Sequence, residues 1–172
     1  MQKTLATEIR PARWTFRDLG LGALAGLIGG LAMGIVGMLV AAGYGYSLWR
    51  PLQEIAGVFS PQLSGDQAAF NFTAVALGTL VHFGISAILG MLFAIIYRAV
   101  FNMPSSWGFP ILYGFIYGIA IWFLSSRILA GEPVSGLNNT PSFIVQHLVF
   151  GVVTGLAFGM LRPARAYLPR YQ

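Results

Sequence analysis

No cysteine occurs among the 172 residues. That absence excludes disulfides, thiolate metal sites, iron–sulfur clusters and covalent attachment of a c-type haem. Charge is almost as scarce. Asp, Glu, Lys and Arg make up 9% of the chain against 56% hydrophobic side chains, too few to cover a soluble globule of this size. Asp18, Glu54, Asp66 and Glu132 all fall at the edges of apolar runs or between them. No paired carboxylates and no nucleophile–base set can therefore be assembled from neighbours in sequence. HExxH, Walker A, GxSxG and EF-hand patterns are missing. Gly20-Leu-Gly22-Ala-Leu-Ala25 matches a relaxed dinucleotide fingerprint, but no strand precedes it and it lies inside an apolar run. Enzyme activity is not expected, and no metal site is.

What the chain does have is long apolar stretches. With a mean hydropathy of +0.72, it carries four runs that each reach the ~20 residues needed to cross the hydrocarbon. The spacing predicts helices over about 19–43, 70–97, 107–127 and 141–161, with an interfacial segment 1–18 and an interfacial loop 44–69. The fold class is thus all-α, a polytopic membrane protein forming one domain over 1–172. The first run exceeds the ~7–15-residue apolar core of a secretory signal and reads as a retained anchor.

The formal charge of +5 is placed by topology rather than by nucleic acid. Lys3, Arg10, Arg13 and Arg17 precede the first span, Arg98 follows the second, and Arg162, Arg165 and Arg170 follow the fourth. Only Arg50 and Arg127 lie in the alternate loops. The positive-inside rule then puts both termini in the cytoplasm.

Local signals refine this plan. Arg13-Trp14-Thr15-Phe16-Arg17 reads as an anchor at headgroup level, and Tyr44 to Pro51 as the matching aromatic belt on the other side. Leu52, Ile55, Ala56, Val58 and Phe59 suggest the apolar face of a short interfacial helix ending near Pro61. Ser64-Gly65-Asp66 reads as a turn and helix cap, and Asn71-Phe-Thr73 as a cap or turn rather than a glycosylated sequon. The short connection from Asn102 to Ser106 predicts a tight antiparallel hairpin of the second and third spans. Pro110 falls in the first turn of the third span, and Thr140-Pro141 looks like an N-cap followed by proline.

Small residues recur at a four-residue step in every span. Gly22, Gly26, Gly30 and Gly34 mark the first, and Ala74, Gly78, His82, Ser86, Gly90 and Ala94 the second. Gly114 and Gly118 mark the third, and His147, Gly151, Gly155 and Gly159 the fourth. In lipid such a row removes side chains along one stripe, so that another backbone approaches closely, as in a glycine zipper. The rows also align with one another. His82, Ser86, Gly90, Phe93 and Ala94 fall on His147, Gly151, Gly155, Phe158 and Gly159, while Gly26 and Gly30 fall on Gly114 and Gly118. The two halves read as copies of one helical hairpin in the same orientation, related by an axis along the membrane normal.

Two histidines lie within these rows. A neutral imidazole in a membrane helix serves as a hydrogen-bonding interface residue, with Ser86, Thr79, Gln146, Thr154 or a backbone carbonyl as partner. The alternatives are a proton or ion path past His82 and His147, and axial ligation of one b-type haem by both rings. The spans hold no carboxylate to share a proton relay.

From the second span onward the chain resembles the YagU-like family of small four-span bacterial inner-membrane proteins of unknown function. The residues that carry the resemblance are His82, Ser86, Phe93, Ala94, Tyr97, Trp107-Gly108, Gly114, Pro133 and His147-Leu148-Val149-Phe150. It covers about the last hundred residues. The resemblance implies a bacterial inner-membrane location and a shared four-helix plan, and no chemistry. The functional expectation is a non-catalytic accessory subunit of a larger membrane complex, such as a respiratory or photosynthetic electron-transfer assembly. Its partners would be other integral membrane subunits and lipids, and stripes not used internally would receive partner helices, lipid or quinone. The competing expectations are a homo-oligomeric channel or small-solute carrier and a b-haem protein.

Overall fold

Thr15 opens the first helix because its extended backbone places its N–H 2.9 Å from the carboxylate of Asp18, three residues on. That carboxylate answers a donor left open by the first turn and sits at the positive end of the helix dipole. The computed structural model describes residues 15–64, 70–101, 103, 108–128 and 141–162. Helix α1 runs Phe16–Gly43. It stops where Gly45 adopts φ 79°, a left-handed backbone that glycine takes without penalty, and the N–H groups of Gly45 and Tyr46 turn back to the carbonyls of Ala42 and Ala41.

Helix α2, Arg50–Phe59, follows, then one 3₁₀ turn at Pro61–Ser64. Helix α3, Phe72–Ala94, is capped by Asn71, whose side-chain oxygen accepts from the N–H of Ala74 at 3.1 Å. It runs on without a break as a wider π turn over Ile95–Val100, so the second span extends past Tyr97. Helices α4, Gly108–Ile128, and α5, Pro141–Leu161, complete the chain. Four helices, α1, α3 with its π turn, α4 and α5, are long and apolar enough to cross a membrane. This is an all-α protein with four membrane-spanning helices. The readings on 1–14, Gly65-Asp66, Trp107, Pro133 and Thr140 lie outside the described residues.

The closest helix pairs are α1 with α3 and α4 with α5, and α1 with α5 joins the two pairs. All three run antiparallel. Gly22 lies by Ala94 and Gly30 by His82, Gly29 lies by Thr154 and Gly37 by Gln146, and Gly159 lies by Pro110 and Gly118 by His147. The expected tight hairpin between the second and third spans is corrected. Helices α3 and α4 meet mainly through aromatic side chains, with Phe93 5.1 Å from Tyr113 and 5.4 Å from Tyr117 between ring centroids. The phenol of Tyr117 crosses the same gap and donates to the Leu89 carbonyl at 2.7 Å. Small residues let α1 and α4 reach their glycine-rich partners, and large rings fill the space that this arrangement leaves. Phe93, Tyr97, Tyr117, Phe150 and Phe158 form the core with Ala25, Ala94 and Ala157.

Outward faces are apolar, aliphatic and aromatic alike. Leu31 and Leu39 of α1, Leu80 and Ile88 of α3 and Leu112 and Phe123 of α4 are all exposed, as acyl chains allow and water would not.

The short helix α2 differs from its expected form. Its buried residues are Leu52, Gln53, Glu54, Ala56 and Gly57, whereas Phe59 is 63% exposed. The Leu52 carbonyl packs on Gly78 of α3, where a methyl group would collide with it. This contact sets the rotation of α2, turning Gln53 and Glu54 inward.

Candidate functional site

Helix α1 carries two adjacent small-residue rows, and each receives a different helix. The first row faces α3. A Cβ built on Gly22 would stand 2.5 Å from the Gly90 carbonyl oxygen and 2.7 Å from Ala94 Cβ, and one on Gly26 would stand 2.7 Å from Gly90 Cα. On Gly30 it would meet the Ser86 side chain, with Cβ at 2.7 Å. Gly34 is different, since its nearest neighbour is the His82 ring at 3.6 Å rather than a backbone. The second row is Ala25, Gly29, Gly37 and Ala41, all buried. Gly29 packs on Thr154 and the Phe150 carbonyl of α5, and a Cβ on Gly37 would stand 3.0 Å from Gln146 Oε1.

Helices α4 and α5 repeat the α1–α3 contacts at equivalent positions. A Cβ on Gly26 would meet the Ser86 carbonyl and Gly90 Cα, and one on Gly114 would meet the Gly151 carbonyl and Gly155 Cα. Gly90 faces the Gly22 carbonyl and Gly26 Cα, while Gly155 faces the Pro110 carbonyl and Gly114 Cα. Gly151 abuts Gly114 and Gly118, Gly118 lies under the His147 carbonyl, and Gly159 touches the Pro110 ring. The two interfaces part at Gly30 and Gly118, where the first meets side chains and the second meets backbone.

The polar side chains of the membrane interior converge on the same interfaces. His82 Nε2 lies 2.9 Å from the Gly30 carbonyl on α1, and the Ser86 hydroxyl donates to the His82 carbonyl at 2.7 Å. A carbonyl only accepts, so this ring nitrogen carries the proton. His147 is 4% exposed and lies with its Nδ1 2.8 Å from the Phe143 carbonyl, one turn earlier in its own helix. By the same reasoning its Nδ1 carries a proton, so the two rings donate through different nitrogens. His82 links two helices; His147 is tied to its own and stacks edge-on against Phe143 at 4.4 Å.

These arrangements do not fit a bis-histidine haem. The Gly30 backbone occupies the position off His82 Nε2 from which an iron would have to bind, and α1 is held there by contacts at Gly22 and Gly26. Among the described residues no group of three His, Asp or Glu side chains is placed to hold a metal ion.

Beside this interface, Arg50 Nε lies 2.6 Å from Glu54 Oε1, and the Arg50 guanidinium stands 3.6 Å from the centre of the Tyr46 ring. The pair is one-sided. Burial opposes the charge of Arg50, but bonds to Glu54 and Tyr46 outweigh it and raise its pKa. Burial likewise disfavours the Glu54 charge, and here Arg50 does not make up the loss, so the carboxyl titrates above its ordinary range.

Stripes left over for partner helices were expected. The glycine rows instead meet this chain's own helices, while Gly20, Gly43, Gly84 and Gly108 have open space around them without forming a continuous stripe. The second row of α1 was missed, although Ala25, Gly29, Gly37 and Ala41 stand on one four-residue step. Met33 interrupts it and the first row draws the eye. The pairing of Asp18 with Arg162, at 2.9 Å, was missed too. Only the Thr15-x-x-Asp18 spacing pointed to a buried role for that carboxylate.

Comparison of the chain with protein-family models, with curated proteins and with solved structures finds no match.

Proposed function

We propose that this chain is a non-catalytic structural subunit that braces a larger membrane assembly. One observation carries the reading: both imidazoles, together with Ser86 and Tyr117, are spent on backbone carbonyls. His82 binds Gly30, His147 binds Phe143, Ser86 binds His82 and Tyr117 binds Leu89. His82 and Tyr117 tie neighbouring helices together, His147 and Ser86 bond within their own, and groups so committed are poorly placed for proton transfer or ligation. Backbone-to-backbone seams at Gly26–Gly90 and Gly114–Gly155 add rigidity, and the outer surface is apolar. A rigid apolar block of this kind fills space between larger subunits and binds lipid on its flanks. Partner subunits would dock on the apolar outer faces, since the glycine rows are occupied.

The resemblance to the YagU-like family and the distribution of basic residues support a bacterial inner-membrane location with cytoplasmic termini. Respiratory and photosynthetic electron-transfer assemblies are the complexes in which to look first. Purification from native membranes in mild detergent, with identification of co-migrating chains, tests the reading. A fixed stoichiometry with unrelated subunits is expected. A homo-oligomer in which both imidazoles exchange protons with water would overturn it in favour of a channel or carrier.

A further inference from the structure

The contacts of α1 with α3 continue past the glycines to a charged layer at the end of the bundle. Gly22 lies beside Ala94, and one turn further out Asp18 and Arg98 extend the two rows. Arg162, the first residue after α5, reaches the same place and sets its Nε 2.9 Å from Asp18 Oδ1. Arg17 stands next to Asp18 and is exposed. Both oxygens of Asp18 are engaged, Oδ1 by Arg162 and Oδ2 by the N–H of Thr15. Among the described residues of this layer, one carboxylate stands with three guanidiniums and pairs with that of Arg162. Arg98 is 6% exposed and donates to the Met103 carbonyl. Arg162 Nη1 is buried with no hydrogen-bond acceptor.

We propose that this layer, Arg17, Arg98 and Arg162 around Asp18, holds a phosphate group, that of an anionic phospholipid headgroup. Arg17 and Arg162 contact the phosphate oxygens, and Arg98 contributes charge from within the bundle. Three features favour a phosphate. Among the described residues, the cations of the layer exceed its anions by two. A planar guanidinium with a spare donor matches phosphate geometry. The layer lies at the ends of three candidate spans, where headgroups stand when those spans cross a bilayer. Burial, followed by the charge of Arg98, pushes the Arg162 guanidinium below its usual range, with Asp18 opposing and Arg17 adding to the shift. An added anion relieves that unfavourable field.

The test is native mass spectrometry of the full-length chain in detergent, with phosphatidylglycerol and phosphatidylcholine as competing probes. The wild type is expected to retain phosphatidylglycerol preferentially, at one molecule per chain. Arg17→Gln alters an exposed side chain, and Arg162→Lys keeps the charge beside Asp18, so both variants should fold; each should weaken retention about tenfold, the loss of one charge-assisted bond. Arg127→Gln, at the other end of α4, should leave retention unchanged. Equal retention of the two lipids, or an equal effect of Arg127→Gln, would overturn the site. Inorganic phosphate supplies the second arm. If it binds with the same dependence on Arg17 and Arg162 while phosphatidylglycerol shows no preference, the lipid assignment fails.

Discussion

Gly114 and Gly151 face each other's carbonyl oxygens across the α4–α5 interface. One Cα hydrogen of each points at the other's acceptor, a reciprocal pair of weak C–H···O contacts. Gly22 and Gly90 make the same exchange between α1 and α3. Lipid gives apolar helices no hydrophobic reason to associate, so dispersion and such contacts must hold them, and both require backbones to touch. Glycine is the only residue with no Cβ to prevent it.

Gly26→Leu places a side chain where Ser86 and Gly90 already stand, so α1 and α3 must separate. A loss of at least ~1–3 kcal/mol is expected from overpacking, read as a lower unfolding midpoint in detergent titrations. Gly84→Leu is the control, because nothing lies within 4 Å of a Cβ there, and it should change stability by less than ~0.5 kcal/mol. Equal effects of the two substitutions would refute the packing account.

The second row of α1 has its own test. A methyl group on Gly29 meets the Thr154 hydroxyl, which is itself buried with no hydrogen-bond partner. Gly29→Ala should be destabilising alone and less so beside Thr154→Ala, with a coupling of about 0.5–3 kcal/mol. The Phe150 carbonyl, 2.8 Å from the same position, keeps the rescue partial. Strict additivity in a double-mutant cycle would place the helices apart.

His82→Gln retains a donor that can reach the Gly30 carbonyl, so the bond between α3 and α1 survives in altered geometry. The expected cost is about 0.6 kcal/mol, the average for such a bond in a membrane interior, with the assembly intact on a native gel. Complete loss of biological function with normal assembly would show that the imidazole does more than hold α1.

Glu54 makes stability depend on pH. Its carboxyl titrates higher in the folded protein than in the unfolded chain because burial penalises the charge. The protonated form is thus the one the fold prefers. Its contribution is fully present below the unfolded pKa, near the ordinary carboxylate value, and is lost as pH rises through the elevated folded value. Glu54→Gln mimics the protonated form. It should match the wild type in acid and be neutral to about 1 kcal/mol more stable at neutral pH, measured as thermal midpoints across the carboxylate range. Marked destabilisation at neutral pH would mean that the bond to Arg50 outweighs burial.

Much of this was legible in the chain. Asn71 caps α3, and the short helix after the aromatic belt exists, because capping chemistry and turn residues act locally. The inward turn of α2 was not legible. Leu52, Ile55, Ala56, Val58 and Phe59 marked one apolar face, yet Phe59 is exposed while Gln53 and Glu54 are buried, because the bare surface at Gly78 fixes the rotation through Leu52. Nor could the row of Ala25, Gly29, Gly37 and Ala41 be ranked against that of Gly22, Gly26, Gly30 and Gly34 without knowing that α1 has two neighbours.

The sequence by itself determined four apolar spans, their approximate ends and the positions where backbone is bare. Those follow from length and composition, because the hydrocarbon sets a fixed thickness and each span satisfies its own hydrogen bonds. Only the tertiary structure decided which bare stripe meets which, that α3 and α4 stand apart around Phe93 and Tyr117, and that Asp18 is buried against Arg162. Spans that are apolar all round mark no inner face, so pairing is settled by the shape of the surfaces once they meet.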